Sequence, residues 1–131
     1  MKTFNLIIAK GYTAMGVTAK IPIYLIATLC VFAIRVISVL VVVRIGSLVS
    51  SRLGHFALNT ELYLCQYDEG INRPIKLHVD LFFFKNYPIC NEQLSKMWKR
   101  ELIILPRWIL APVTRVNRFF PGSELHEVGT T

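Results

Sequence analysis

Val36-Ile37-Ser38-Val39-Leu40-Val41-Val42-Val43-Arg44-Ile45 is the stretch on which the fold turns. Its β-branched composition is that of a strand buried on both faces of a parallel sheet. Gly46-Ser47-Leu48-Val49-Ser50-Ser51 follows and reads as a loop with glycine flexibility and serine caps. Arg52-Leu53-Gly54-His55-Phe56-Ala57-Leu58-Asn59-Thr60-Glu61-Leu62-Tyr63-Leu64 then reads as a helix that begins near residues 51–55 and runs to about Gln66. Strand, loop and helix start is the place where open α/β sheets put their binding groups.

Working outward toward the C-terminus, Asp68-Glu69-Gly70-Ile71-Asn72-Arg73-Pro74 marks a turn. Residues 77–84, rich in aromatics, form a second strand expected to pair in parallel with 36–45. A second helix starts at Asn91, its cap, with Glu92 complementing the dipole and Leu94, Trp98, Leu102 and Leu105 as its apolar stripe. Pro106 stops or kinks it, and a third helix is bracketed by Pro112 and Pro121-Gly122. Alternating strands and helices imply parallel neighbours joined by right-handed crossovers, with no internal repeat.

Working outward toward the N-terminus, residues 21–43 carry one charge, Arg35. Their length suffices for a bilayer, which needs about 20 apolar residues. Yet residues 21–34 mix Leu, Ala, Ile and Phe, whereas the valine-rich half that follows is strand-like, and the first half alone is too short to span. Arg35 at a span centre would cost roughly 2.5 to 3.5 kcal/mol, less if it snorkels. Two readings stand, a spanning helix and one that dips into or lies on the membrane. A cleaved signal peptide is disfavoured because no small-residue cleavage site follows the apolar run. Lys2, Lys10 and Lys20 before the run against Arg44 and Arg52 after it give only a slight lean to a cytoplasmic N-terminus.

The 131 residues allow one small domain with a real core. With 53% hydrophobic and 18% charged residues the chain is not disordered, and its net charge of +7 suits anionic lipid, phosphate or nucleic acid. Nucleic acid is set aside, because no recognition motif accompanies the charge. Cys30, Cys65 and Cys90 are odd in number and widely spaced, which fits reduced, partly buried thiols rather than a disulfide framework or a zinc site. His78 and His126 lack a ligand pattern, so no metal is expected, and no glycine-rich nucleotide loop occurs.

Several separated blocks carry a family resemblance. Arg44-Ile45-Gly46 with residues 50–64, Val79-Asp80-Leu81-Phe82, Ile89-Cys90-Asn91, Lys96-Met97-Trp98-Lys99-Arg100, and Leu110-Ala111-Pro112 with Arg115-Val116-Asn117-Arg118 resemble, in order, the start of a bacterial glycosyltransferase family. Members of that family resemble two-Rossmann-domain sugar transferases of surface polysaccharide synthesis and are several times longer. The resemblance therefore implies an acceptor-side portion, truncated before the domain that holds the nucleotide-sugar donor and inactive alone. No cofactor is expected in this chain itself. The implied partners are membrane lipid, a glycan or lipid-linked acceptor, and a separate donor-binding domain or subunit. The implied setting is the bacterial inner membrane, with the soluble part on the cytoplasmic side.

A transferase of that kind needs a base to deprotonate an acceptor hydroxyl. His55 is the candidate, histidine being the residue type suited to proton transfer near neutral pH. Asn59 shares its helix face four residues on, close to a helix N-terminus that favours phosphate; Gly54, Glu61 and Asp80 complete the candidate substrate-binding set, although Glu61 lies off that face. The structural alternative gives Gly54 to close backbone packing and the polar residues to caps and loop bonds. Lys96, Lys99, Arg100, Arg115 and Arg118, with Arg107, are interleaved with Trp98, Trp108, Phe119 and Phe120, the composition of a helix pair at a lipid interface or of a solvated face over a core stripe.

The sequence thus implies an α/β fold. Residues 36–131 form a Rossmann-like half domain with parallel strands, preceded by an apolar membrane-associating helix in residues 1–35. The competing function is a non-catalytic membrane-bound interaction protein or truncated remnant.

Overall fold

A computed structural model describes residues 2–71 and 73–128, with side chains from residue 20 onward. Asn72 of the expected turn, residues 129–131 of the expected domain, and the Lys2 and Lys10 charges lie outside the described residues. The elements run α1 (Lys2–Ile37), β1 (Val42–Leu48), α2 (Leu53–Asp68), β2 (His78–Phe84), α3 (Glu92–Glu101), β3 (Ile103–Ile104), α4 (Arg107–Asn117) and a short 3-10 turn, Ser123–His126.

The protein is α/β with a parallel sheet. β1 pairs with β2 along its length, from Val42 opposite His78 to Leu48 opposite Phe84, and β2 pairs with β3 at Leu81–Ile103 and Phe82–Ile104. On the other side of β1, Glu127 bridges Ile45 in parallel and the Val128 N–H donates to the Ile45 carbonyl at 3.1 Å. The chain therefore steps outward from β1 through α2 and α3, then returns through α4 to the far side of β1. Such a reversal is where open α/β sheets leave a crevice at the carboxyl ends of their strands.

Alternation along the strands divides the core into two layers. Ile45 and Phe83 pack with Ala27 and Val31 of α1 and with Leu110, Val113 and Val116 of α4. Leu48, Phe82 and Phe84 pack on the opposite face with Phe56 and Tyr63 of α2, Trp98 of α3 and Val128. The expected boundary at residue 35 is thus crossed by packing, since α1 is itself a layer of the domain.

α1 is apolar on two sides for two reasons. Ala27 and Val31, each 2% exposed, with Cys30 and Ile34 beside them, form an inward stripe at helical spacing. Leu25, Leu29, Phe32 and Val36 form an outward stripe at the same spacing, with Leu29 and Phe32 each 70% exposed. Only 11% of the window Lys20–Ile37, of mean hydropathy 2.0, is buried.

Several local expectations are corrected. The strand expected over 36–45 begins six residues later, because α1 keeps its inward stripe and Arg35 bonds through Ile37 before a turn at 38–40. Gly46 and Ser47 belong to β1 rather than to a loop. A Cβ on Gly46 would stand 2.6 and 2.8 Å from ring atoms of Phe82, so the glycine serves close sheet packing. The serines do not cap α2, whose N-cap is Arg52 with no side-chain bond. Ser50 instead donates to the Asn86 carbonyl at 2.5 Å and accepts from the Asn86 N–H at 3.1 Å, clamping the loops after β1 and β2. Asn91 caps α3 as expected, accepting from the Leu94 N–H at 2.9 Å. α3 ends at Glu101 because Ile103 and Ile104 join the sheet, which takes Leu102 and Leu105 off the helical stripe. The third helix starts after Pro106, its N-cap, and Pro112 lies inside it.

Candidate functional site

Because the strands are parallel, the loops after β1 and β2 and the starts of α2, α3 and α4 share the carboxyl edge of the sheet. His55 sits there, exposed in the first turn of α2, with Gly54 before it and half-buried Asn59 one turn on. No atom lies within 4 Å of a Cβ built on Gly54, so close packing does not demand this glycine. Glu61 is exposed further along α2.

Asp80 is not brought to this group. It lies near the amino end of β2, a rise of roughly 13 Å before Phe84. Its register partner is Arg44, whose Nε donates at 2.7 Å and Nη2 at 2.5 Å, a bidentate pair with both side chains 7% exposed. The Tyr63 hydroxyl donates to the same carboxylate. Burial, and then the hydrogen bond to Asp80, push the Tyr63 pKa above the ordinary tyrosine value. Asp80 therefore binds α2 to the amino end of the sheet. Arg44 and Tyr63 were missed in the sequence; the available signal was an opposite charge at the third position of each strand.

The basic residues divide between the two faces. Lys96, Lys99 and Arg100 lie on α3, where the Lys99 ammonium stands 5.7 Å from the centre of the Phe84 ring. Arg107 and Arg115 lie on α4 and Arg118 is its C-cap, across the sheet. The expected single basic helix pair is thus split, since the chain reverses direction after β3 and places α4 on the face opposite α2 and α3. The aromatics divide as well: Trp98 is buried with its Nε1 donating to the Phe56 carbonyl at 3.2 Å, whereas Trp108 is 73% exposed.

On the α4 face, beside the chain reversal, a cleft of about 450 Å3 opens between β1, α4 and the C-terminal segment. Lys85, Arg107, Arg115 and Arg118 line it, opposed by Glu124 and Glu127. Arg118 donates from Nε to Glu127 at 2.9 Å, while Lys85, Arg107 and Arg115 form no ion pair among the described residues. The cleft suits an anion with several acceptor oxygens. Lys85 and Glu124 had no signal in the local sequence, because only the return of α4 to β1 brings them together.

The remaining candidates are internal or plain. His126 is buried with Nδ1 2.8 Å from the Val43 carbonyl, and His78 lies against the Tyr67 ring. Among the described residues no three His, Cys, Asp or Glu side chains gather closely enough to hold a metal. Cys30 is half-buried, but Cys65 and Cys90 are exposed rather than partly buried, and all three are free thiols. No family model, curated protein or solved structure matches the chain.

Proposed function

We propose that this protein is the acceptor-side, Rossmann-like part of a membrane-associated bacterial glycosyltransferase that moves a sugar from a nucleotide donor to a glycan or lipid-linked acceptor. The observation that carries the reading is the reversal of chain direction beside β1, with a basic cleft at the carboxyl edge where such sheets bind ligands. His55 stands at the same edge from α2 and is the candidate base for an acceptor hydroxyl. The nucleotide-sugar donor belongs to a separate donor-binding domain or subunit facing that edge.

The membrane contact follows from how α1 is used. α4 flanks α1 from Tyr24, bonded to Arg115 at 3.3 Å, to Arg35, bonded to Asn117, a rise of roughly 16 Å. Crossing a hydrocarbon core of about 30 Å with residues 20–37 would carry Arg107, Arg115 and Arg118 into lipid at roughly 2.5 to 3.5 kcal/mol each. The docked helix therefore lies along the bilayer surface on its outward stripe, with Trp108 and Phe119 beside it as interfacial anchors.

The test deletes the gene from its own cell and restores it as wild type or His55→Ala. Incorporation of labelled nucleotide sugars into lipid-linked or polymeric glycan is then measured in isolated membranes. Loss on deletion that only wild type restores supports the transferase. Incorporation unaffected by deletion overturns it in favour of an interaction protein.

A further inference from the structure

Next to the basic cleft lies a second cavity of different character. It is an open groove of about 530 Å3 whose walls are Ile23 and Tyr24 of α1, Trp108 and Pro112 of α4, and Tyr87 and Pro106 from the loops at the carboxyl edge. Lys20 also lines it. Arg107, Ala111 and Arg115 line both cavities, so the cleft and the groove share a wall one helix face wide. Arg107 and Ala111 are four residues apart, as are Ala111 and Arg115; the three stack along one side of α4, with a small residue between two guanidinium groups.

That arrangement is polar at one end and apolar at the other. The cleft offers Lys85, Arg107 and Arg115 outside any ion pair among the described residues; of the two carboxylates on its opposite wall, Glu127 is paired with Arg118 and Glu124 remains, so cations outnumber acids, and Arg115 is held in place by its bond to the Tyr24 hydroxyl. The groove offers aromatic and aliphatic walls continuous with the exposed stripe of α1. An anion alone leaves the groove exposed, and a hydrocarbon alone leaves the excess positive charge of the cleft unmatched. Charge complementarity on one side of Ala111 and apolar surface on the other select a single kind of occupant.

We propose that the two cavities form one site for a phosphorylated single-chain amphiphile, with the phosphate in the cleft between Lys85, Arg107 and Arg115 and the hydrocarbon tail along Tyr24, Trp108 and Pro112. This deepens the lipid-linked acceptor reading and rests on it. The phosphate enters from the bilayer surface on which α1 lies. The tail stays against α1 and α4, and the group carried on the phosphate is presented to the carboxyl edge. Guanidinium groups suit this task because they meet phosphate oxygens through paired N–H donors.

The test uses the full chain in phosphatidylcholine nanodiscs and reads tryptophan fluorescence. The probe is undecyl phosphate with a terminal bromine, a contact quencher; the comparator is the matching bromoundecanol, and inorganic phosphate is the competitor. Trp108 lines the groove whereas Trp98 is buried across the sheet, so Trp108→Phe assigns the signal. The phosphate probe should half-quench Trp108 at a concentration about tenfold lower than the alcohol, the worth of a charge-assisted contact. Lys85→Gln and Arg107→Gln, both at exposed positions, should each shrink that advantage, while Lys76→Gln should leave it intact. Equal quenching by the two probes would mean simple partition into the bilayer and would overturn the site. So would inorganic phosphate binding as tightly as the amphiphile, because the tail would then contribute nothing. The sugar-incorporation assay does not depend on this readout, so the failure of either proposal is recognisable apart from the other.

Discussion

The Arg35 guanidinium donates from Nη2 to Oδ1 of Asn117 at 3.1 Å, joining the last turn of α1 to the last turn of α4. Its Nη1 donates to the Pro121 carbonyl at 2.8 Å, and the group lies 5.3 Å from the centre of the Phe120 ring. The one charge in residues 21–43 is thus spent on the protein's own backbone and side chains rather than on lipid or water. Replacing Arg35 by Met should cost about 1 to 3 kcal/mol, the worth of charged hydrogen bonds left unmade on buried Asn117. Urea unfolding in detergent, compared with wild type, measures it.

The Arg44–Asp80–Tyr63 group yields a sharper expectation. Asp80→Ala strands a buried guanidinium and should destabilise the fold by about 3 to 5 kcal/mol. Tyr63→Phe removes a single donor and should cost much less. Far-UV circular dichroism during denaturant titration separates the two variants.

The raised Tyr63 pKa also fixes a sign for pH. Protonated Tyr63 is favoured in the folded state, so its contribution is fully present below the unfolded value of about 10 and fades as pH climbs past it. Wild type should lose stability in that alkaline range more steeply than Tyr63→Phe. Unfolding midpoints measured from pH 8 to about 11 test the difference, the upper limit kept near the ordinary tyrosine range.

Gly46→Ala should be destabilising although alanine is a small change. Its methyl group meets Phe82, which has no room to retreat in the core, and overpacking of this kind costs about 1 to 3 kcal/mol. The thermal midpoint of the purified variant reports it.

Membrane association should separate by helix face. Leu25→Gln with Leu29→Gln and Phe32→Gln should abolish liposome flotation while preserving the fold, each change removing about 1.5 to 3 kcal/mol of apolar burial. Val31→Gln, on the inward stripe, should instead unfold the domain. Removing residues 1–34 would take away core packing together with any anchor, so point changes are the cleaner measurement.

How far the sequence could be read depends on which residues decide each feature. The parallel βαβ unit and the Asn91 cap were legible because strand composition, turn chemistry and capping are local signals. The start of β1 was not, because Val36 and Ile37 are β-branched yet complete a helix whose inward stripe begins ten residues earlier, and short apolar runs do not reveal their period. β3 escaped because two residues carry no pattern. In the site, His55 could be placed at a helix start from its neighbours alone, while the Lys85–Arg107–Arg115 cleft depends on the return of α4 and has no trace in any single window.

One consequence concerns geometry rather than affinity. Both apolar stripes of α1 lie on the same rod, so one helix alone separates the outward stripe from the sheet. With α1 lying on a bilayer as proposed, the carboxyl edge would stand off from the lipid by about one helix diameter, 10 to 12 Å. On the proposed function, an edge held at constant height would work as a gauge. It would admit molecules whose reactive group protrudes that far from the lipid surface and pass over those that end lower, so the thickness of α1 would itself discriminate among acceptors.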